Sequence, residues 1–161
     1  MEIHKLDKKW VLWFHHVNDD NWSEESFSKL CEVLTIEDYW RMMNTITTFT
    51  AGVFFFMKED ISPRREDIEN IDGGCWSFKI SKMEIDNLWR IFTMKAIGNT
   101  LTKNIKDVDE INGITISPKI NNCILKVWNK NSEKNNISIF NTELLDKISF
   151  RDAIYKKHNT F

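Results

Sequence analysis

Apolar residues first cluster at Trp10-Val11-Leu12-Trp13-Phe14, a short aromatic and β-branched run that predicts a strand. Asn, Asp and Ser take over from Val17 to Ser23 and predict a loop with Trp22 stranded in it. Phe27 to Leu34 predicts a second strand. Thr35-Ile36-Glu37-Asp38 has the form of a capping box, and Ile36, Trp40 and Met43 follow at helical spacing. Glu37 and Arg41 suit a surface ion pair on that helix. Val53 to Met57 is continuous and apolar, as in a buried strand. The polar stretch from Lys58 to Gly74 reads as a long loop, of the kind that often carries function. Cys75 to Met83 alternates like a strand. Glu84 to Ile97 places Ile85, Leu88, Phe92 and Ala96 on one helical face, with Gly98 as the stop. Ile114–Lys119 and Cys123–Trp128 pair around Asn121-Asn122. Ile137, Phe140, Leu144 and Ile148 predict a third helix from near Ser132, and Phe150 to Lys157 a last strand. Strands come in pairs with helices between pairs. That order predicts an α+β domain: one curved, mostly antiparallel sheet with three helices on one face.

The chain has 161 residues, which suits a single domain over 1–161. Its 22 basic and 24 acidic residues nearly cancel, so any nucleic-acid contact is expected in a local pocket and not from a global field. No apolar run approaches the roughly 20 residues that cross a bilayer. The start, Met1-Glu2-Ile3-His4-Lys5, lacks a signal-peptide core. Cys31, Cys75 and Cys123 are odd in number and far apart, so a reducing, cytoplasmic setting is expected, with neither disulfides nor zinc. His15-His16, Glu59-Asp60 and Glu66-Asp67 are adjacent pairs, and neighbours on a strand face opposite ways, so none converges on a metal. No phosphate loop or nucleophile motif is present. No cofactor and no catalytic step is expected.

The composition stands out in its 7 Trp and 11 Phe against 2 Tyr. Trp22, in a polar loop, must either tuck into the core or face a ligand. Glu66 lies in the other long loop beside Arg64 and Arg65. A carboxylate near a stacking platform can accept hydrogen bonds from the N1–H and the amino group of guanine. Stacking combined with edge reading is how proteins recognise an unpaired base.

These residues fall in a wider pattern: Trp10-Val11-Leu12-Trp13-Phe14, Trp22, Thr35 through Trp40, Ile61-Ser62-Pro63, Glu66-Asp67, Gly73-Gly74-Cys75-Trp76, Leu88-Trp89, Ile97-Gly98 and Val127-Trp128. In order and spacing the chain resembles the eukaryotic translation initiation factor 4E family, the messenger-RNA cap-binding proteins. The resemblance implies a cupped sheet of about eight strands with three helices on its convex back. It implies that the concave side binds 7-methylguanosine, whose cationic base is sandwiched between indoles. Trp22 would be one side of the sandwich, Glu66 would read the guanine edge, and Trp128 would meet the N7 methyl group. Lys119 would contact the triphosphate.

The chain departs from the pattern at the second sandwich tryptophan, which falls on Arg65. Three outcomes follow from that change: Arg65 stacks, or it turns to the phosphates while His15 or one of Phe54 to Phe56 covers the base, or binding weakens. A family basic residue falls on Ile124, with Lys126 on the same strand face as a substitute. Another falls on Cys75, with Arg64 or Arg65 to replace its charge. The family's C-terminal covering loop has no counterpart before Phe161, and Lys156, Lys157 and His158 are candidate replacements. On the back, the resemblance implies a docking site for a helical peptide of a scaffold factor 4G-like protein or a 4E-binding protein. That site would use His4, Leu6, Ile36 and Trp40, with Arg90 and Met94 from the second helix. The expected function is recruitment of capped messenger RNA by a monomer with no membrane partner. The alternatives are a cap-binding competitor and, less favoured, a cap-processing enzyme.

Overall fold

The computed structural model describes residues 2–160. In chain order the elements are β1 (Lys5–His16), β2 (Ser28–Thr35), α1 (Ile36–Thr45), β3 (Gly52–Lys58), β4 (Gly74–Ile80), α2 (Ile85–Ile97), β5 (Ile111–Pro118), β6 (Cys123–Asn129) and β7 (Ile154–Lys157). All seven strands join one sheet in the order β2-β1-β3-β5-β6-β4-β7, and every pairing is antiparallel. Irregular register in β1 and β5 bends the sheet locally.

Side-chain alternation divides the strands between two apolar layers. Trp10 and Leu12, Phe54 and Phe56, Ile114 and Ile116, Leu125 and Val127, and Trp76 and Phe78 face the helices. There they pack on Leu88, Trp89 and Phe92 of α2 and on Tyr39 and Met42 of α1. The opposite parity gives a smaller layer of Phe55, Met57, Cys75 and Trp128, joined by Trp13, Phe27 and Val53. Gly74 lets β7 come close, because a Cβ there would run into the Lys156 carbonyl and the Tyr155 ring.

The α+β expectation holds, with seven strands. The third helix does not form. Asn136 and Asn141 accept hydrogen bonds from the backbone N–H groups of Ser138 and Glu143, closing two short 3₁₀ turns at Ile137–Ile139 and Thr142–Asp146. Phe140 between them is extended and bridges to Thr102. Its ring is still buried on Trp76, so the apolar spacing served the core without a helix. The last strand is confined to Ile154–Lys157.

On α1 the capping box forms as expected: the Thr35 hydroxyl accepts from Asp38 N–H at 3.0 Å, and Asp38 accepts from Thr35 N–H at 3.1 Å. The buried face of α1 is Tyr39 and Met42, whereas Ile36 and Trp40 are exposed. The expected Glu37–Arg41 pair gives way to two others, Arg41 with Asp38 at 2.7 Å and Glu37 with His4 at 2.8 Å. Thr35→Ala is expected to cost about 1 kcal/mol of stability, read as a lower urea midpoint at unchanged slope.

Candidate functional site

On the sheet face away from the helices lies a cleft of about 350 Å³. Its floor is Phe55, Thr115 and Trp128, and its walls come from the β1–β2 and β3–β4 loops. Trp22, Arg64, Arg65, Glu66, Lys119, Lys126 and Trp128, all seven residues singled out for the cap, line this one cleft.

Trp22 is 55% exposed, so it is not a core residue. One face of its indole stacks on His15, with centroids 3.7 Å apart and planes within 8°. His15 is fully buried, and its Nε2 lies 2.7 Å from the Asn21 carbonyl, an acceptor only, so Nε2–H donates. Asn21 in turn bonds Asp19 and Ser23 across the loop. Trp22 is thereby fixed with its outer face free. His15 is the backing of this platform and does not cover a ligand. Phe54 and Phe56 lie on the helix side, and only Phe55 of the three reaches the cleft.

The opposite wall is set by buried asparagines. Asn70 Nδ2 donates to the carbonyls of Ser62 at 2.9 Å and Arg64 at 2.8 Å, and Asn112 donates to Asn70 Oδ1 at 3.0 Å. Asp67 accepts from Ser62 N–H at 2.9 Å. Arg64 leans toward Ser62 and Glu24. Among the described residues, Arg65 and Glu66 make no hydrogen bond or ion pair, so both are free for a ligand. Asn70 and Asn112 escaped sequence reasoning, since an asparagine in a polar loop carries no signal of burial.

Trp128 is buried in the cleft lining, between Phe55 and His158. Ile124 shares its face of β6, and Cys75 pairs with it across to β4, buried. Lys157 is paired with Glu133 and His158 lies buried behind Trp128, so neither replaces a covering loop; Lys156 lies outside the cleft lining.

On the helix side, a groove of about 360 Å³ is lined by the apolar Leu6, Ile36, Trp40, Met94 and Ile97 together with Lys5, Asp7, Tyr39, Gly98 and Asn99. Trp40 is 42% exposed there, not core. His4 sits at the start of β1, bonded to Glu37, whose carboxyl this hydrogen bond holds down at about 2. Arg90 lies outside the groove lining and contributes its carbonyl to the Tyr39 hydroxyl at 3.2 Å.

A family model described as eukaryotic initiation factor 4E matches residues 5–160. Eukaryotic translation initiation factor 4E of Dictyostelium discoideum is 27% identical over 139 residues, covering 81% of this chain and 54% of that protein. The chain spans between about half and two thirds of the first curated relatives. The fold is shared with C. elegans eIF4E-3, solved with the 4E-binding protein Mextli and a cap analog, at a TM-score of 0.83 and 22% identity over 98% of this chain and 94% of that one. Ascaris suum eIF4E-3, solved with an m2,2,7G cap, gives 0.83 and 23% over 99% and 94%.

Burial holds the His158 imidazole down at about 4; the charges of Arg65 and Lys126 act the same way, against the Gly74 backbone and Glu66. An unfolded histidine binds its proton near pH 6.5. Between those values the unfolded chain holds more protons, so stability falls as pH drops from 6.5 toward 4. The expected loss is about 2 kcal/mol, the full shift being discounted for solvent screening. His158→Gln should flatten that limb in urea titrations at pH 7 and 4.5.

Proposed function

The chain belongs to the eukaryotic initiation factor 4E family, and on that premise we propose that it binds the 7-methylguanosine cap of messenger RNA. One observation carries this reading: the free face of Trp22, the uncommitted Glu66 carboxylate and Trp128 meet in one cleft rimmed by lysines. Methylation at N7 makes the base cationic, so an indole face attracts it by stacking and by cation–π interaction. The Glu66 carboxylate accepts from N1–H and the exocyclic amine and offsets the charge. Trp128 supplies an apolar edge for the methyl group. Lys119 and Lys126 answer the triphosphate.

Arg65 stands where the resemblance expects a second indole. A guanidinium on the second face of a cationic base adds like-charge repulsion. Its charge is felt at both Cys75 and His158, on the β4 side of the cleft, which is where Lys126 lies. We therefore read Arg65 as a phosphate contact, with Trp22 stacking from one side only.

The activity on this reading is binding without a chemical step. The groove holding Leu6, Ile36, Trp40 and Met94 favours engagement of a helical apolar peptide from a scaffold 4G-like or 4E-binding protein, in the helix-in-groove manner. That would place a monomer at cytoplasmic translation initiation, more than a competitor that only occupies caps.

Tryptophan fluorescence should be quenched by 7-methyl-GTP and far less by GTP; equal, negligible quenching by both would sink cap binding. Trp22→Ala should weaken 7-methyl-GTP about 5- to 160-fold, one stacking interaction's worth. Arg65→Gln should weaken 7-methyl-GTP several-fold and leave 7-methylguanosine unchanged. An exposed residue at the centre of a docking groove is expected to behave as a hot spot. Trp40→Ala should thus lower affinity for an amphipathic helical peptide at least tenfold, by calorimetry, with cap binding intact.

A further inference from the structure

Strands β5, β6, β4 and β7 contain no Asp or Glu, although the chain has 24 acidic residues. They do carry lysines, and alternation sends Lys126, Lys79 and Lys156 to the cleft side and Lys157 to the other. In the register Trp128↔Cys75↔Lys156, Lys156 lies two strands from the cleft tryptophan. In the register Lys126↔Ser77 and Ile124↔Lys79, Lys79 follows two residues beyond the strand neighbour of Lys126. Lys126, Ser77, Lys79, Cys75 and Lys156 therefore share one face, with about 5 Å between strands.

Lys8, Lys9, Lys29, Lys95, Lys134, Lys157, Arg41 and Arg64 each have a carboxylate partner. Among the described residues, Arg65, Lys79, Lys119, Lys126 and Lys156 have none within 4.0 Å. Burial pushes the Cys75 thiol up, and the charges of Lys126, Arg65 and Lys156 pull it back, so these three cations bear on one spot of the sheet. Lys79 and Lys156 are exposed and lie outside the cleft lining.

We infer that Lys79 and Lys156 extend the cleft into a phosphate track for the RNA that follows the cap, running from Lys126 over β4 to the edge strand β7. A single strand leaving the triphosphate meets Lys79 toward one end of β4 and Lys156 beside the other, on four strands that carry no carboxylate, and the nearby Glu133 is paired with Lys157. Lysines hold phosphates as point charges without reading bases, so the track is sequence-independent. The inference rests on the cap reading for where the strand enters.

The test compares an m7GpppA dinucleotide with a capped single-stranded RNA octamer. The octamer should bind more tightly at low salt. Two extra phosphate contacts steepen the salt dependence by about 1.4 in log–log slope, so its advantage should shrink about sevenfold between 50 and 200 mM salt. Lys79→Gln with Lys156→Gln should remove that advantage and leave the dinucleotide unchanged. Equal binding of octamer and dinucleotide by the unaltered protein, or an octamer advantage that survives the double substitution, overturns the track. If the dinucleotide fails to bind, the cap reading fails by itself. The track is then read from an uncapped octamer: salt-sensitive binding lost in the double variant supports it, and none overturns it. Poly-glutamate bound as tightly as the octamer, with the same sensitivity to the double variant, would also overturn an RNA track.

Discussion

Strand alternation is the constraint from which the rest of this molecule follows. Successive residues of a strand face opposite ways, and seven antiparallel strands hold their registers in step. Trp10 and Leu12 go to the helices while Trp13 and His15 go to the cleft side. Phe54 and Phe56 are core, and Phe55 between them is cleft floor. A one-residue slip in β6 would send Trp128 and Lys126 into the core and Val127 to the ligand face. The ladder therefore specifies the site as firmly as it specifies the fold.

The cleft walls need a second device, because loops lack a ladder. Each wall is fixed by a hydrogen-bond network built on buried side chains, His15 in one and Asn70 with Asn112 in the other. His15 and Asn21 hold the Trp22 loop, and Asn70, Asn112 and Asp67 hold the Arg64–Glu66 loop. Such groups are costly to bury without partners, so each network admits few alternative conformations. A stacking platform held in advance loses little entropy when a ligand arrives. The free side chains, Arg65 and Glu66, are then the ones whose charge is uncommitted.

Much of this was legible in the sequence, for reasons that also explain the rest. Strands and the two α-helices are written in apolar period, and the Thr35 cap in local chemistry. Trp22 stood out because an indole is out of place in a polar loop, and Glu66 because of its place beside Arg64 and Arg65 in the family pattern. Ile137, Phe140, Leu144 and Ile148 misled because spacing records burial, and two asparagine caps can satisfy the same spacing with short turns. Ile36 and Trp40 share a helical spacing that alone reads as core; the resemblance set them apart as docking residues, and Tyr39 and Met42 occupy the core with Met43 packed beside it. His15, Asn70 and His158 were hidden, because their roles depend on partners distant in sequence or on stacking that no local pattern encodes.

The exposed stripe of α1 is not a defect of packing. Tyr39 is anchored by its hydroxyl to Thr93, 2.8 Å away, and Met42 is buried, so the helix is held without Ile36 or Trp40. Leaving an indole 42% exposed next to Met94 and Leu6 forgoes apolar burial that a polar residue would not have needed. A groove assembled from β1, α1 and α2 is apolar at its centre, with the His4–Glu37 pair at the start of β1, as interfaces are commonly arranged. The cleft and the groove hang on one β-sheet: Phe54 and Phe56 support the helices that carry the groove, and Phe55 supports the cleft. The two sites share no lining residue, so on the proposed reading a cap and a helical peptide are held at once without competition.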